Sequence, residues 1–159
     1  MKRVWTPWRM AYVGAAAPPT CVFCDACASD EGPGRLVLRR SASAFLILNA
    51  YPYAPGHLMA VLNRHIGAIT DATVDEMADA MRLAQLAVRA LGEEYGAQGF
   101  NVGINLGRVA GAGIQDHLHV HVVPRWNGDT NFMAVLGEVR MLPESLERTH
   151  ERLRSRIGE

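Results

Sequence analysis

The chain has 159 residues, 49% hydrophobic and 20% charged, the size and balance of a single globular unit with room for a core. Sixteen basic residues offset sixteen acidic ones. No bulk field therefore directs the chain to nucleic acid or to an anionic membrane, and any phosphate site has to be assembled locally.

No apolar run reaches the roughly 18 residues of a membrane-spanning helix. The opening residues, from Met1 to Met10, lack the apolar core of a signal peptide, so a cytoplasmic location is expected. Trp5 and Trp8 are expected to pack against the body or a partner subunit. A Gly/Ala/Pro linker leads to Cys21-Val22-Phe23-Cys24, with Cys27 three positions on. Clustered cysteines fit a reducing compartment better than a disulfide framework. A C-x2-C is half a zinc site or a redox pair. The βαβ context of a thioredoxin-like pair is absent, and no fourth cysteine exists to complete an iron–sulfur motif. A metal here would need histidines as its remaining ligands.

Residues 35–40 and 44–49 read as a hairpin, followed by a turn dense in Pro, Gly and tyrosine from Tyr51 to Gly56. A further strand over 57–62 leads to His65. Thr73-Val74-Asp75-Glu76 is a capping box, and Val74, Met77, Met81, Ala84, Val88 and Leu91 recur at helical spacing. Leu83, Leu86 and Ala90 widen that face, as in a wide core contact or a helix also buried against another subunit. Gly96 is the expected stop. A strand over 100–106 enters a glycine loop, 107–114, which is neither a Walker loop nor a Rossmann fingerprint. Its glycines suit a hairpin with positive φ or a close approach of backbone N–H groups to an anion.

His117-Leu118-His119-Val120-His121-Val122 alternates strictly. This reads as a strand with imidazoles on one face, roughly 6.6–7 Å apart, and aliphatics on the other. Three readings stand: an ordinary surface strand, a three-histidine zinc site, and covalent catalysis by one histidine with the others holding its tautomer and a phosphate. Residues 143–157 alternate apolar and charged side chains as a C-terminal surface helix with Pro143 at its start, and His150 is expected to be solvated. The reading is one α+β domain over 1–159, with an N-terminal arm and linker (1–20), a core (21–137) and a C-terminal helix (143–157).

The run His-φ-His-φ-His-φ-φ, where φ is apolar, resembles the signature of the histidine-triad family of nucleotide hydrolases and transferases. Pro55-Gly56-His57 and Pro124-Arg125-Trp126 stand where that family has similar residues. The segments from Asn101 to Asn105 and from Asn127 to Phe132 resemble its diadenosine-polyphosphate-cleaving branch. The resemblance implies a half-barrel-like antiparallel sheet with one long helix, in a homodimer. It implies that His119 attacks the α-phosphorus of an adenosine nucleotide while His121 and His57 hydrogen-bond the phosphate. Asn105, with amides of the loop at Gly111 and Gly113 or the Gln115 side chain, would stabilise the phosphate oxygens, and Asn49 would bind the ribose. Trp126 stacks on a base or simply packs.

In zinc-bearing relatives, including the hexose-phosphate uridylyltransferases, a C-x2-C, a histidine after the strand and the first triad histidine form one tetrahedral structural site. The matching residues are Cys21, Cys24, His65 and His117. Many members carry Ser or Thr where Gly113 and Ile114 stand. The expected reaction is cleavage of diadenosine tetraphosphate, by phosphorolysis to ADP and ATP with Arg108 or Arg125 holding phosphate, or else by hydrolysis. Hydrolysis of AMP-linked, phosphoramidate-like nucleotides and a non-catalytic adenosine-nucleotide sensor are the alternatives.

Overall fold

A computed structural model describes residues 20–129 and 144–158. The expected N-terminal arm with Trp5 and Trp8, the segment from Thr130 to Met133, and Pro143 lie outside the described residues. Five strands, β1 (Val37–Arg40), β2 (Ala44–Leu48), β3 (Leu58–Leu62), β4 (Gly99–Gly103) and β5 (His119–Arg125), form one sheet in the order β1-β2-β3-β5-β4. Every neighbouring pair is antiparallel. With helices α1 (Val22–Ala28), α2 (Val74–Tyr95) and α3 (Leu146–Ile157), this is the expected α+β fold, and the sheet is open rather than closed. Among the described residues no helix is long and apolar enough to cross a membrane.

Both faces of the central strands are buried, each by a different cluster. Leu46, Leu48, Leu58, Ala60, Leu62, Val120 and Val122 pack under α2 and α3 with Leu83, Ala84, Ala87, Leu91, Leu153 and Ile157. The opposite rows, Phe45 and Ile47 of β2 with Met59 and Val61 of β3, pack against Phe23 and Ala26 of α1. Register places His119 opposite Val61 and His121 opposite Met59, so these histidines belong to the α1 face. The alternation in sequence thus becomes two surfaces of one strand.

The capping box forms as expected. The Glu76 amide donates to Thr73 Oγ1 at 3.2 Å, and the Thr73 amide donates to Glu76 Oε2 at 2.8 Å. Gly96 ends the helix at φ 60°, in the left-handed region that favours glycine. Most of the expected apolar face meets the core: Leu83, Ala84, Ala90 and Leu91 are buried, and Met77, Leu86 and Val88 pack partly buried against it. Val74 and Met81, however, are 84% and 42% exposed. Ala80 and Ala87 join the buried face, where small alanines let the helix lie close to the strands. Asp79 on this face accepts from Ser41 Oγ at 2.7 Å and from the Ser43 amide at 2.8 Å, tying α2 to the β1–β2 turn.

Several boundaries differ from expectation. Strand β1 begins only at Val37, because a 3-10 turn occupies Gly32–Leu36. There Gly34 leaves no room for a side chain: a Cβ would lie 1.7 Å from the Ser29 carbonyl oxygen. Strand β4 ends at Gly103 rather than 106. Strand β5 begins at His119, so His117 precedes it, and the strand runs through Pro124. Beyond Val122 it pairs only with β4, the kind of edge where proline is tolerated. Helix α3 starts after Ser145, whose Oγ accepts from the Arg148 amide. His150 is not simply solvated; its Nε2 lies 3.1 Å from the Val37 carbonyl.

Replacing Thr73 by Ala removes the cap and is expected to lower stability by about 1 kcal/mol. Urea unfolding should show this as a lower midpoint at unchanged slope.

Candidate active site and metal centre

The tautomers of the buried histidines follow from partners whose roles are fixed. A backbone N–H can only donate, and the Tyr53 amide lies 3.1 Å from His57 Nδ1. His57 Nδ1 is therefore an acceptor, and a neutral ring carries its proton on Nε2. That Nε2–H donates to His121 Nδ1 at 3.0 Å, which leaves the His121 proton on Nε2. A carbonyl can only accept. His119 Nδ1–H donates to its neighbour's carbonyl, the His117 oxygen, at 2.8 Å, leaving a lone pair on Nε2. His117 Nε2–H donates to the Leu62 carbonyl at 2.7 Å, leaving a lone pair on Nδ1.

Burial works against the charged form of His117, His119 and His121. His57 and His117 are fully buried and His119 is 5% exposed. Desolvation pushes His117 below the ordinary histidine value, and His119 too, where the bond to the His117 carbonyl works in the opposite direction. His121 falls to about 4, through burial first and the neighbouring His119 second. The result is an unprotonated imidazole, His119, beside a second imidazole that presents N–H, with ring centroids 4.8 Å apart. Such a pair can attack an electrophilic centre and hydrogen-bond the displaced or adjacent oxygen.

The three triad histidines do not converge on one point. His117, ahead of the strand, turns its Nδ1 towards Cys21 Sγ (3.3 Å), Cys24 Sγ (3.6 Å) and His65 Nδ1 (3.3 Å), and Cys24 Sγ lies 3.3 Å from His65 Nδ1. All four ligand atoms lie within 4.8 Å of one another, and they are the one such group among the described residues. Bonds of about 2.0 Å to nitrogen and 2.3 Å to sulfur give tetrahedral edges of about 3.3–3.8 Å, which these separations match. The donor chemistry matches too, since His117 arrives with its Nδ1 lone pair free. Burial and then the adjacent Cys21 push the Cys24 thiol up to about 11, the strain of crowding thiol donors that a cation would relieve. Cys27 stands apart, its thiol donating to Asn63 Oδ1 at 3.7 Å.

The other expected site residues divide. Asn49 sits beside the site with Nδ2 at 3.2 Å from His57 Nδ1, and its Oδ1 accepts from the Tyr51 amide at 2.9 Å. Its amide shapes the turn. Gly111, at φ 89°, would place a Cβ 3.9 Å from Asn105 Nδ2, so these two adjoin. Gly107 and Gly111 have positive φ and Gly113 does not. Gln115 is exposed, while Ile114 packs on the Phe23 cluster and anchors the loop to the histidine face.

Trp126 and Arg125 do not join the site. They lie at the far end of β5, about 20 Å from His119 at 3.3 Å per residue. Trp126 Nε1 donates to the Tyr95 carbonyl at 3.1 Å, a packing role. Arg125 is held by Asp129 at 2.5 and 2.9 Å and by Asn101 at 2.9 Å.

Two residues without a sequence signal of their own also belong here. Tyr53 has its ring centroid 4.6 Å from that of His57 and 5.9 Å from that of His121. Phe23 lies against His117 and His119. Phe23 was visible only as filler between two cysteines, and Tyr53 only as a turn residue.

The HIT domain model matches residues 31–128. An AP-4-A phosphorylase of Mycobacterium tuberculosis is 40% identical over 162 residues, spanning 96% of this chain and 83% of that protein. The asymmetrical bis(5'-nucleosyl)-tetraphosphatase of Schizosaccharomyces pombe is 28% identical over 60% of this chain and 52% of its own length. A Zn-bound histidine triad family protein from Mycobacterium smegmatis, known from its crystal structure, is 29% identical. It superposes with a TM-score of 0.72, covering 87% of this chain and 94% of that one.

Because His121 titrates near 4 when folded and near 6.5 when unfolded, the unfolded chain binds more protons between those values. Stability is therefore expected to be full above pH 6.5 and to fall as the pH drops from 6.5 to 4. His121→Gln should flatten that fall, read from urea midpoints at pH 7, 6 and 5. Superimposable pH profiles for the two proteins would contradict the assignment.

Proposed function

The chain belongs to the HIT-domain family, and on that premise we propose that it is an enzyme cleaving diadenosine polyphosphates at the α-phosphate. The observation that carries this reading is the free Nε2 lone pair of His119, fixed by the Nδ1–H bond to the His117 carbonyl. His119 Nε2 bonds to the α-phosphorus as the bridging oxygen to the rest of the substrate breaks away. His121 Nε2–H, aligned by His57, hydrogen-bonds the departing or non-bridging oxygen. Asn105 and the loop amides around Gly111 and Gly113 stabilise charge on the phosphate. Splitting one displacement into two steps through a nucleotidyl-histidine lowers each barrier.

For the second step we favour inorganic phosphate as acceptor, so that diadenosine tetraphosphate gives ATP in the first step and ADP in the second. The 40% identical AP-4-A phosphorylase supports this. The similarity to a tetraphosphatase, and Gly113 where a hydroxyl would help anchor phosphate, favour the second reading, in which water takes the nucleotidyl group. With Arg125 held elsewhere, Arg108, exposed on the glycine loop, is the remaining candidate to hold the incoming anion.

The Cys21, Cys24, His65 and His117 cluster would hold one zinc per chain. Bound there, zinc staples the N-terminal segment to the start of β5, and its binding energy becomes folding energy. The chain acts as one catalytic unit over 1–159. It works in the cytoplasm as a homodimer, for which, among the described residues, exposed Val74 and Met81 on α2 and the outer edge of β4 offer candidate surfaces.

His119→Ala is expected to lower kcat by at least roughly a thousandfold while nucleotide affinity stays within about tenfold. With 18O-labelled phosphate and diadenosine tetraphosphate, the wild type should place label in ADP, read by mass spectrometry. AMP plus ATP, indifferent to added phosphate, would make it a hydrolase, and full turnover by the variant would overturn the covalent route.

Protein purified without chelator should carry about one zinc per chain by elemental analysis. Cys24→Ser should lower zinc content and thermal stability together, and Cys27→Ser neither.

A further inference from the structure

One hydrogen bond does not immobilise an imidazole. The bond from His119 Nδ1 to the His117 carbonyl fixes the tautomer but leaves the ring free to swing about the N···O line, carrying Nε2 with it. Two rings close off that motion. His121 stands on one side in a T-shaped contact at 76°, with centroids 4.8 Å apart. Phe23 closes another side, 5.0 Å away and tilted at 55°. The Phe23 ring also meets His117 edge-on, at 5.4 Å and 76°.

Phe23 is itself held rigidly. It is 3% exposed and packs with Ala26, Phe45, Ile47, Met59 and Val61. It lies between the cluster residues Cys21 and Cys24, and the far end of α1 is pinned by Arg40, whose guanidinium donates to the carbonyls of Ala26, Cys27 and Ser29 at 3.0–3.2 Å.

We propose that Phe23 is a positioning residue: its ring clamps the His119 imidazole so that Nε2 points at the α-phosphorus. The clamp couples the α1 segment, and with it the cysteine end of the cluster, to the nucleophile without touching the reacting atoms. It rests on the reading of His119 as nucleophile. A swing that displaces the attacking atom by about 1 Å costs on the order of a hundredfold in rate, so loss of the clamp should appear in kcat and leave ground-state binding intact.

The test compares Phe23→Leu and Phe23→Met with Leu46→Val, a control on the opposite face of the sheet. Phe23→Met, whose unbranched side chain adapts to an irregular gap, carries the test should the leucine variant not fold. Expected for both Phe23 variants are a kcat lower by about ten- to a hundredfold, a KM within threefold of wild type, and unchanged metal content. The His119 ring resonances of histidine-labelled protein should broaden or split in ligand-free samples, whereas Leu46→Val should show none of these changes. Wild-type kcat with sharp His119 resonances would overturn the proposal. So would a raised KM at unchanged kcat, which would put the ring in the substrate wall. Should His119→Ala retain turnover while Phe23→Leu still loosens the His119 ring, the nucleophile reading fails and the clamp stands.

Discussion

The site depends on the hydrogen bond from His117 Nε2 to the Leu62 carbonyl. It takes the only proton of a neutral, buried imidazole and so aims the Nδ1 lone pair at two thiols and a second histidine. The backbone of the same residue offers its carbonyl to His119 Nδ1 and so leaves that ring's lone pair on Nε2. One residue thus leaves the two rings with lone pairs on different nitrogens, Nδ1 of His117 and Nε2 of His119, as the proposed ligand and nucleophile roles require. The chemistry of each follows from which nitrogen its neighbour's carbonyl has occupied.

The second tautomeric chain starts from the backbone as well. The Tyr53 amide settles His57, which settles His121. The turn presenting Tyr53 and His57 needs Gly56, at φ 76° and so close to α2 that a Cβ would lie 2.6 Å from Leu91 Cδ2. The long helix therefore bears on His57 and His121 through a turn pressed against its surface. Its alanine-rich face makes that closeness possible, and Asp79, on the same face nearer the N-terminus, anchors the helix to the β1–β2 turn.

The chemistry of the site was largely legible in the sequence, and its orientation was not. Alternation at 117–123 disclosed a strand with an imidazole face, because side chains in a strand alternate strictly. It could not disclose that the strand starts at His119, since that depends on how the chain leaves Ile66, whose carbonyl takes the Leu118 amide at 2.6 Å. The capping box of α2 was local and was read correctly. The buried face of the same helix was legible at Leu83, Ala84, Ala90 and Leu91 but not at Ala80 and Ala87, because small residues stand out little in a pattern yet are what lets a helix approach a sheet. Trp126 and Arg125 follow the triad closely in sequence, yet an extended strand carries them to its far end.

The ordering of strands has a kinetic consequence. Strand β5 lies between β3 and β4 although it is last of the five in the chain, and His117 stands 96 residues beyond Cys21. A nascent chain that has emerged as far as α2 holds three members of the four-residue cluster, Cys21, Cys24 and His65, and lacks His117. The fourth ligand and the nucleophile arrive together, with the strand that completes the sheet. Closing so long a loop is entropically costly and slow, and capture of an ion by this cluster would thereby be coupled to the last major assembly step. Metal retention in a cell would then report finished molecules, and partly synthesised or misregistered chains would be distinguishable by unliganded Cys21 and Cys24.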